Sequence, residues 1–159
     1  MSPAQQVAGF IAKFDPTIAS LVRRARAELR RRMPTAVELV YDNYNALAIG
    51  FSSSERTSDA IVSLAVYARG VNLYFIYGAH LPDPDHVLQG GGNQGRFVRL
   101  ESLATLDAAP VKALLKAAIA DGDTPLPPTG RGYTVVKSIS RKQRPRRVPK
   151  KAGGAGRAG

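Results

Sequence analysis

Two β-rich runs, residues 61–67 and 71–77, lie on either side of Ala68-Arg69-Gly70. A short connection closing on glycine reverses a chain tightly, so the pair predicts an antiparallel hairpin. The rest of the chain must be accommodated around it. Upstream, Val37, Leu39 and Tyr41 alternate with polar neighbours, and residues 46–51 form a second apolar run. Downstream, residues 96–100 read as a short strand and residues 133–139 alternate well enough to be the last one, returning to a sheet edge.

Helical periodicity flanks these strands. Val7, Phe10, Ile11 and Phe14 predict a short helix over residues 4–14. Asp15-Pro16 supplies an N-cap and a first-turn proline for a longer helix, with Ile18, Leu21, Val22, Ala25 and Leu29 on one stripe. Its arginines, 23, 24, 26, 30, 31 and 32, straddle that stripe as a solvated face does, and Glu28 is placed to pair with Arg24 or Arg32. Pro34 stops the helix. Asp107 is the expected cap of a third helix over residues 108–120, with Val111, Leu114, Leu115 and Ile119 on its stripe. This order predicts an α+β fold: an antiparallel sheet of five to six strands with helices packed on one face.

A chain of 159 residues, 44% of them hydrophobic, can bury a core as one domain without metal or disulfide. With no cysteine, thiolate metal sites and cysteine nucleophiles are excluded. Nothing reads as a secretory leader, and no apolar run approaches the ~20 residues of a spanning helix. The expectation is a soluble, cytoplasmic protein with no membrane partner.

Charge is divided unevenly. Up to Asp123 there are thirteen basic and twelve acidic residues; beyond it there are ten basic and none acidic. The net charge of +11 therefore belongs almost wholly to the C-terminal part. Beyond Ser140 there is no apolar periodicity, only cations, proline and glycine. The sequence thus predicts a domain over residues 1–140 and a disordered basic tail over 141–159.

Residues 67–81, running from Tyr67 through Gly78, Ala79 and His80 to Leu81, resemble the strand–turn–strand of the YdhG-like domain, a bacterial family whose strand pair ends in a Gly-Ala-x-Leu step. Pro82 to Asp85, Leu88 to Gly90, Gly92 and Arg96 to Leu100 resemble the family's next segment. Lys137 to Arg147 is similar to its basic ending. The resemblance extends over about residues 5–147 and implies a small frataxin-like α+β sandwich. Two positions depart from the pattern: Asn93 and Phe97 stand where the family often has lysine and histidine. Frataxin-like iron handling also uses an acidic first helix, whereas the long helix here carries six arginines and Glu28.

The residues nominate few sites. His80, Asp83, Asp85 and His86 have metal-ligand chemistry suited to iron, zinc or manganese, although the surrounding prolines and the spacing favour a plain surface loop. Gly90 to Gly95, followed by Arg96 and Arg99, have the makings of an anion cradle, but the loop leads into a strand and reads better as a wide turn. Tyr74 and Phe97 can stack bases if they share an exposed sheet face. In the tail, Arg141, Lys142, Arg144, Arg146, Arg147, Lys150 and Lys151 offer sequence-independent contact with DNA or RNA. No catalytic pair or triad stands out, and Asp42 and Asp59 look isolated. The expectation is a non-enzymatic binding or accessory protein without a cofactor. The alternatives are a nonspecific nucleic-acid-associated protein acting through its tail and a frataxin-like iron chaperone.

Overall fold

The computed structural model describes residues 1–149. Ser2 opens helix α1 (Pro3–Ala12) with a capping box: its Oγ accepts from the Gln5 amide at 3.1 Å, and Gln5 Oε1 accepts from the Ser2 amide at 2.9 Å. Asp15 caps α2 (Pro16–Arg32), its Oδ1 accepting from the Ile18 amide at 3.1 Å. Ala19, Val22, Ala25 and Leu29 are its buried stripe. Helix α3 (Ala109–Asp121) buries Val111, Leu114, Leu115 and Ala118. Its N-cap is Ala108, not Asp107. A short 3-10 turn, Leu103–Asp107, precedes it, and the Asp107 carboxylate turns away to Arg32 Nη2 at 2.8 Å.

Six strands form one sheet: β1 (Val37–Asp42), β2 (Leu47–Ser52), β3 (Ala60–Tyr67), β4 (Gly70–Phe75), β5 (Arg96–Leu100) and β6 (Thr134–Ile139), in the order β5-β4-β3-β2-β1-β6. The hairpin between β3 and β4 is present, with Tyr67 opposite Gly70. All neighbours are antiparallel except β6, which runs parallel to β1. The wholly antiparallel sheet expected from the sequence is thus corrected at one seam. The chain reaches that seam only after α3, as a parallel pairing requires. The Gly132 amide donates to Pro34 O and the Glu38 amide to Tyr133 O, both at 2.8 Å, so β6 enters beside the start of β1 and runs the same way.

The register separates two faces. On one, Val136, Val40, Ile49, Leu64, Leu73 and Val98 form a row across all six strands, and the three helices pack on this side into a single core. Phe51 and Phe75 extend the core one row away, fully buried. Each such side chain contributes about 1.5–3 kcal/mol through burial. Among the described residues no α-helix packs on the opposite face.

The chain keeps contact with the sheet at and beyond residue 140. The Ser140 amide donates to Asp42 O and the Arg144 amide to Tyr44 O, both at 2.8 Å, and Arg146 is buried. The segment as far as Arg147 is held against the body, with Arg146 paired to the buried Asp42 carboxylate and Arg147 donating to Lys13 O. Residues 150–159, the rest of the expected tail with Lys150 and Lys151, lie outside the described residues.

Candidate functional site

The sequence-nominated metal ligands do not converge. Asp83 accepts from the amides of Val87 and Leu88, both at 3.0 Å, and so serves its own loop. His86 sits at a φ of 54°, its amide bonded to Asp83 O at 3.1 Å. His80 lies in a short 3-10 turn and lines a separate pocket of about 240 Å³ beside Asp59 and the C-terminal end of α3. Among the described residues no group of three or more His, Asp or Glu is placed to hold a metal ion. Two prolines and inward-turned hydrogen bonds spend the loop on its own geometry.

The anion cradle is likewise occupied from within. Arg96 donates to the carbonyls of Gly91, Gly95 and Gly92 at 3.0, 2.7 and 2.9 Å, so this guanidinium fills the glycine loop. Arg99 Nη2 donates to Arg69 O at 2.6 Å, closing the β3–β4 turn. Of the tail cations, Arg146 and Arg147 are held by the body, Arg147 through Lys13 O at 3.1 Å. Arg141, Lys142 and Arg144 are exposed.

Two carboxylates that look unremarkable in sequence are fully buried on β1. Glu38 meets Arg26 in a fork, at 2.6 Å from Nε and 2.7 Å from Nη2, with Arg30 Nη2 at 2.8 Å and the Thr134 hydroxyl at 2.7 Å. Asp42 receives Lys13 Nζ at 2.8 Å and Arg146 Nη2 at 2.9 Å. Burial raises the pKa of each. The bonds and charges of Arg26 and Arg30 on Glu38, and of Lys13 and Arg146 on Asp42, outweigh it and hold them below 4.5 and 3.8. Both stay ionised and fully engaged near neutrality. They anchor α2 and the C-terminal segment to β1.

The open face of the sheet is different. Leu39, Gly50, Ser63, Tyr74 and Phe97 succeed one another in one row, and Tyr41, Ala48, Ala65, Asn72 and Arg99 in the next. In these two rows only small residues stand on β2 and β3, while tyrosines rise around them, Tyr67 from the end of β3 itself. The result is a trough of about 600 Å³ along β2 and β3, floored by Ala48, Gly50, Ser63 and Ala65. Tyr41 and Tyr44 form one wall, and Tyr67 and Tyr74 the other. The loop after β2 closes part of one end: Tyr41 Oη lies 2.6 Å from Thr57 Oγ1, and Glu55 takes the Tyr133 hydroxyl at 2.7 Å. Asn43, Asn45 and Ser140 add amides and a hydroxyl.

Among the described residues lining this trough there is no Asp, Glu, Lys, Arg or His. A volume of this order suits a small-molecule pocket, for which about 300–1,000 Å³ is usual. Its rings can stack and its hydroxyls and amides can exchange neutral hydrogen bonds. Sequence reasoning placed Tyr74 and Phe97 as a conditional pair, and they are direct cross-strand partners on this face. Gly90 lies over the Phe97 ring, which leaves Tyr74 as the member of the pair that lines the trough. The floor itself was missed. Its signal was the alternation of small with large residues in Leu47-Ala-Ile-Gly-Phe51 and Val62-Ser-Leu-Ala-Val66. Comparison with family models, with curated proteins and with solved structures finds no match to this chain.

Proposed function

We propose that this protein is a small, non-enzymatic, cytoplasmic binding or accessory protein of the YdhG-like kind, and that it takes its ligand in the open-face trough. The layer of helices on one side of a mostly antiparallel sheet supports the frataxin-like frame implied by the resemblance. The observation that carries the reading is the chemistry of the trough: tyrosine walls, a floor of small side chains, and no Asp, Glu, Lys, Arg or His among its described lining. Acid–base and nucleophilic catalysis most often draw on a carboxylate, imidazole or amine within hydrogen-bond reach of the reacting atom, or on a hydroxyl activated by one. Stacking and neutral hydrogen bonding need none. The ligand is therefore ring-containing, and the part of it that enters the trough is uncharged.

The test is a titration of the full chain with uncharged ring compounds, indole and adenosine among them, followed by ligand-observed NMR. Binding that weakens at least about tenfold in Ala48→Phe, which fills the floor, supports the reading. Absence of binding by every ring compound, or equal binding by the variant, refutes it.

A second reading, nonspecific contact with DNA or RNA, is favoured by the net charge of +11 and by the lack of any acidic residue after Asp123. It is tested by comparing the full chain with a 1–149 truncation on mixed-sequence DNA and RNA at two salt concentrations. Equal, negligible binding by both removes it. A cut at residue 140 is unsuitable, because it also deletes Arg146, which is buried against Asp42.

A further inference from the structure

Beyond the trough, its polar end carries a second feature. Ser140 lines that end, and the chain continues directly into Arg141, Lys142 and Arg144. Arg144 is fixed with respect to the wall: its amide donates to Tyr44 O at 2.8 Å, and its guanidinium lies 5.6 Å from the centroid of the Tyr44 ring. Uncharged aromatic walls thus end where cations begin. Tyr44 and Tyr67 are 43% and 42% exposed, so ring faces remain accessible for stacking. At the same end Asn43 Oδ1 accepts from Ser138 Oγ at 2.8 Å, which leaves its NH₂ as the group it has to offer.

We propose that the trough takes the base of a nucleotide, with the phosphate held outside it by Arg141, Lys142 and Arg144. This rests on the reading of the trough as a ring-binding site and names its ligand. A nucleobase is flat, neutral and edged with donors and acceptors, which matches tyrosine walls with asparagine amides at one end. Its phosphate is the anion that the adjoining cations complement. Free mononucleotide and a nucleotide unit of a single strand share this chemistry.

The experiment titrates the full chain with indole, adenosine, AMP and a deoxyadenosine octamer at low and high salt, alongside Ala48→Phe and Arg144→Gln. Among the described residues Arg144 is held by its backbone amide and a ring contact, and the amide bond survives the substitution. AMP is expected to bind about tenfold more tightly than adenosine at low salt, and the advantage shrinks as salt rises. Arg144→Gln weakens AMP by a larger factor than adenosine and so narrows the gap between them, and Ala48→Phe abolishes both. An octamer that binds more tightly per site than AMP identifies strands as the source, and equal affinity identifies free nucleotide. If indole binds and neither adenosine nor AMP does, or AMP and adenosine bind alike, the nucleotide assignment is wrong and the ring-binding reading stands. If nothing binds, both are wrong.

Discussion

Arg146 Nη2 lies 2.9 Å from Asp42 Oδ1, joining residues 104 positions apart in the chain with both side chains almost wholly removed from water. The same guanidinium donates to Asn43 O at 2.6 Å and sits over the Phe14 ring at 5.7 Å. Strand β1, the end of α1 and the C-terminal segment therefore meet at one ion pair. Removing one partner of such a pair leaves the other charged, buried and unanswered, which costs far more than the net worth of the pair.

Arg146→Ala is accordingly expected to destabilise the fold by about 3 kcal/mol in urea unfolding, with Lys13 compensating only in part. Truncation after residue 140 should do at least as much harm, and truncation after residue 149 should change the midpoint little. A 1–140 chain as stable as the full one would show that the segment is not part of the fold.

Acid should unfold the protein through Glu38 and Asp42. Their folded pKa values lie below 4.5 and 3.8, the values they take when unfolded. A depressed carboxylate contributes stability that is complete above its unfolded pKa and is lost as pH falls through the folded one. The unfolding free energy should therefore be nearly flat from about pH 8 to 5 and fall below about pH 4. Glu38→Gln, although less stable at neutrality, should show a shallower acid limb. Glu28, lowered to about 2 chiefly by its hydrogen bonds to Arg31 and then Arg32, is a half-buried helix-surface group in solvent-screened pairs and should add little to that limb.

The parallel seam has its own test. A Cβ on Gly132 would run into the Ala36 carbonyl oxygen, a backbone atom that cannot swing aside. Gly132→Ala should cost about 1–3 kcal/mol and loosen β6, visible as faster hydrogen exchange at the Glu38 amide. Gly91→Ala, where a Cβ meets nothing, is the control and should be silent. Equal stability of the two variants would contradict the way β6 enters the sheet.

For the loop once nominated as a metal site, calorimetry with ferrous iron should give no heat that depends on His80 and His86. A signal lost in His80→Ala/His86→Ala would show that the loop rearranges around an ion, despite the engagement of Asp83 by the amides of Val87 and Leu88.

Local rules carried most of the architecture. The Asp15-Pro16 start of α2, the stripes of all three helices and the β3–β4 hairpin are short-range patterns, and the sequence shows them directly. What it hid was long-range pairing. Val37, Leu39 and Tyr41 look like the core positions of β1, yet Glu38, Val40 and Asp42 face the helices. That inversion is stable only because Arg26, Arg30, Lys13 and Arg146 answer the two carboxylates. Read from sequence alone, the same cations belong to a solvated helix face and a floppy tail. The trough was hidden for a related reason: small residues at 48, 50, 63 and 65 become a floor only once β2 and β3 are known to be adjacent and central.

Amide chemical-shift mapping of the ¹⁵N-labelled full chain, on addition of AMP, tests the central claim most directly. The account predicts perturbations at Ala48, Gly50, Ser63 and Ala65, together with Tyr44 and Arg144, and none along α2 or α3. Shifts confined to the helices or to the C-terminal cations, with the floor of the trough unchanged, would contradict it.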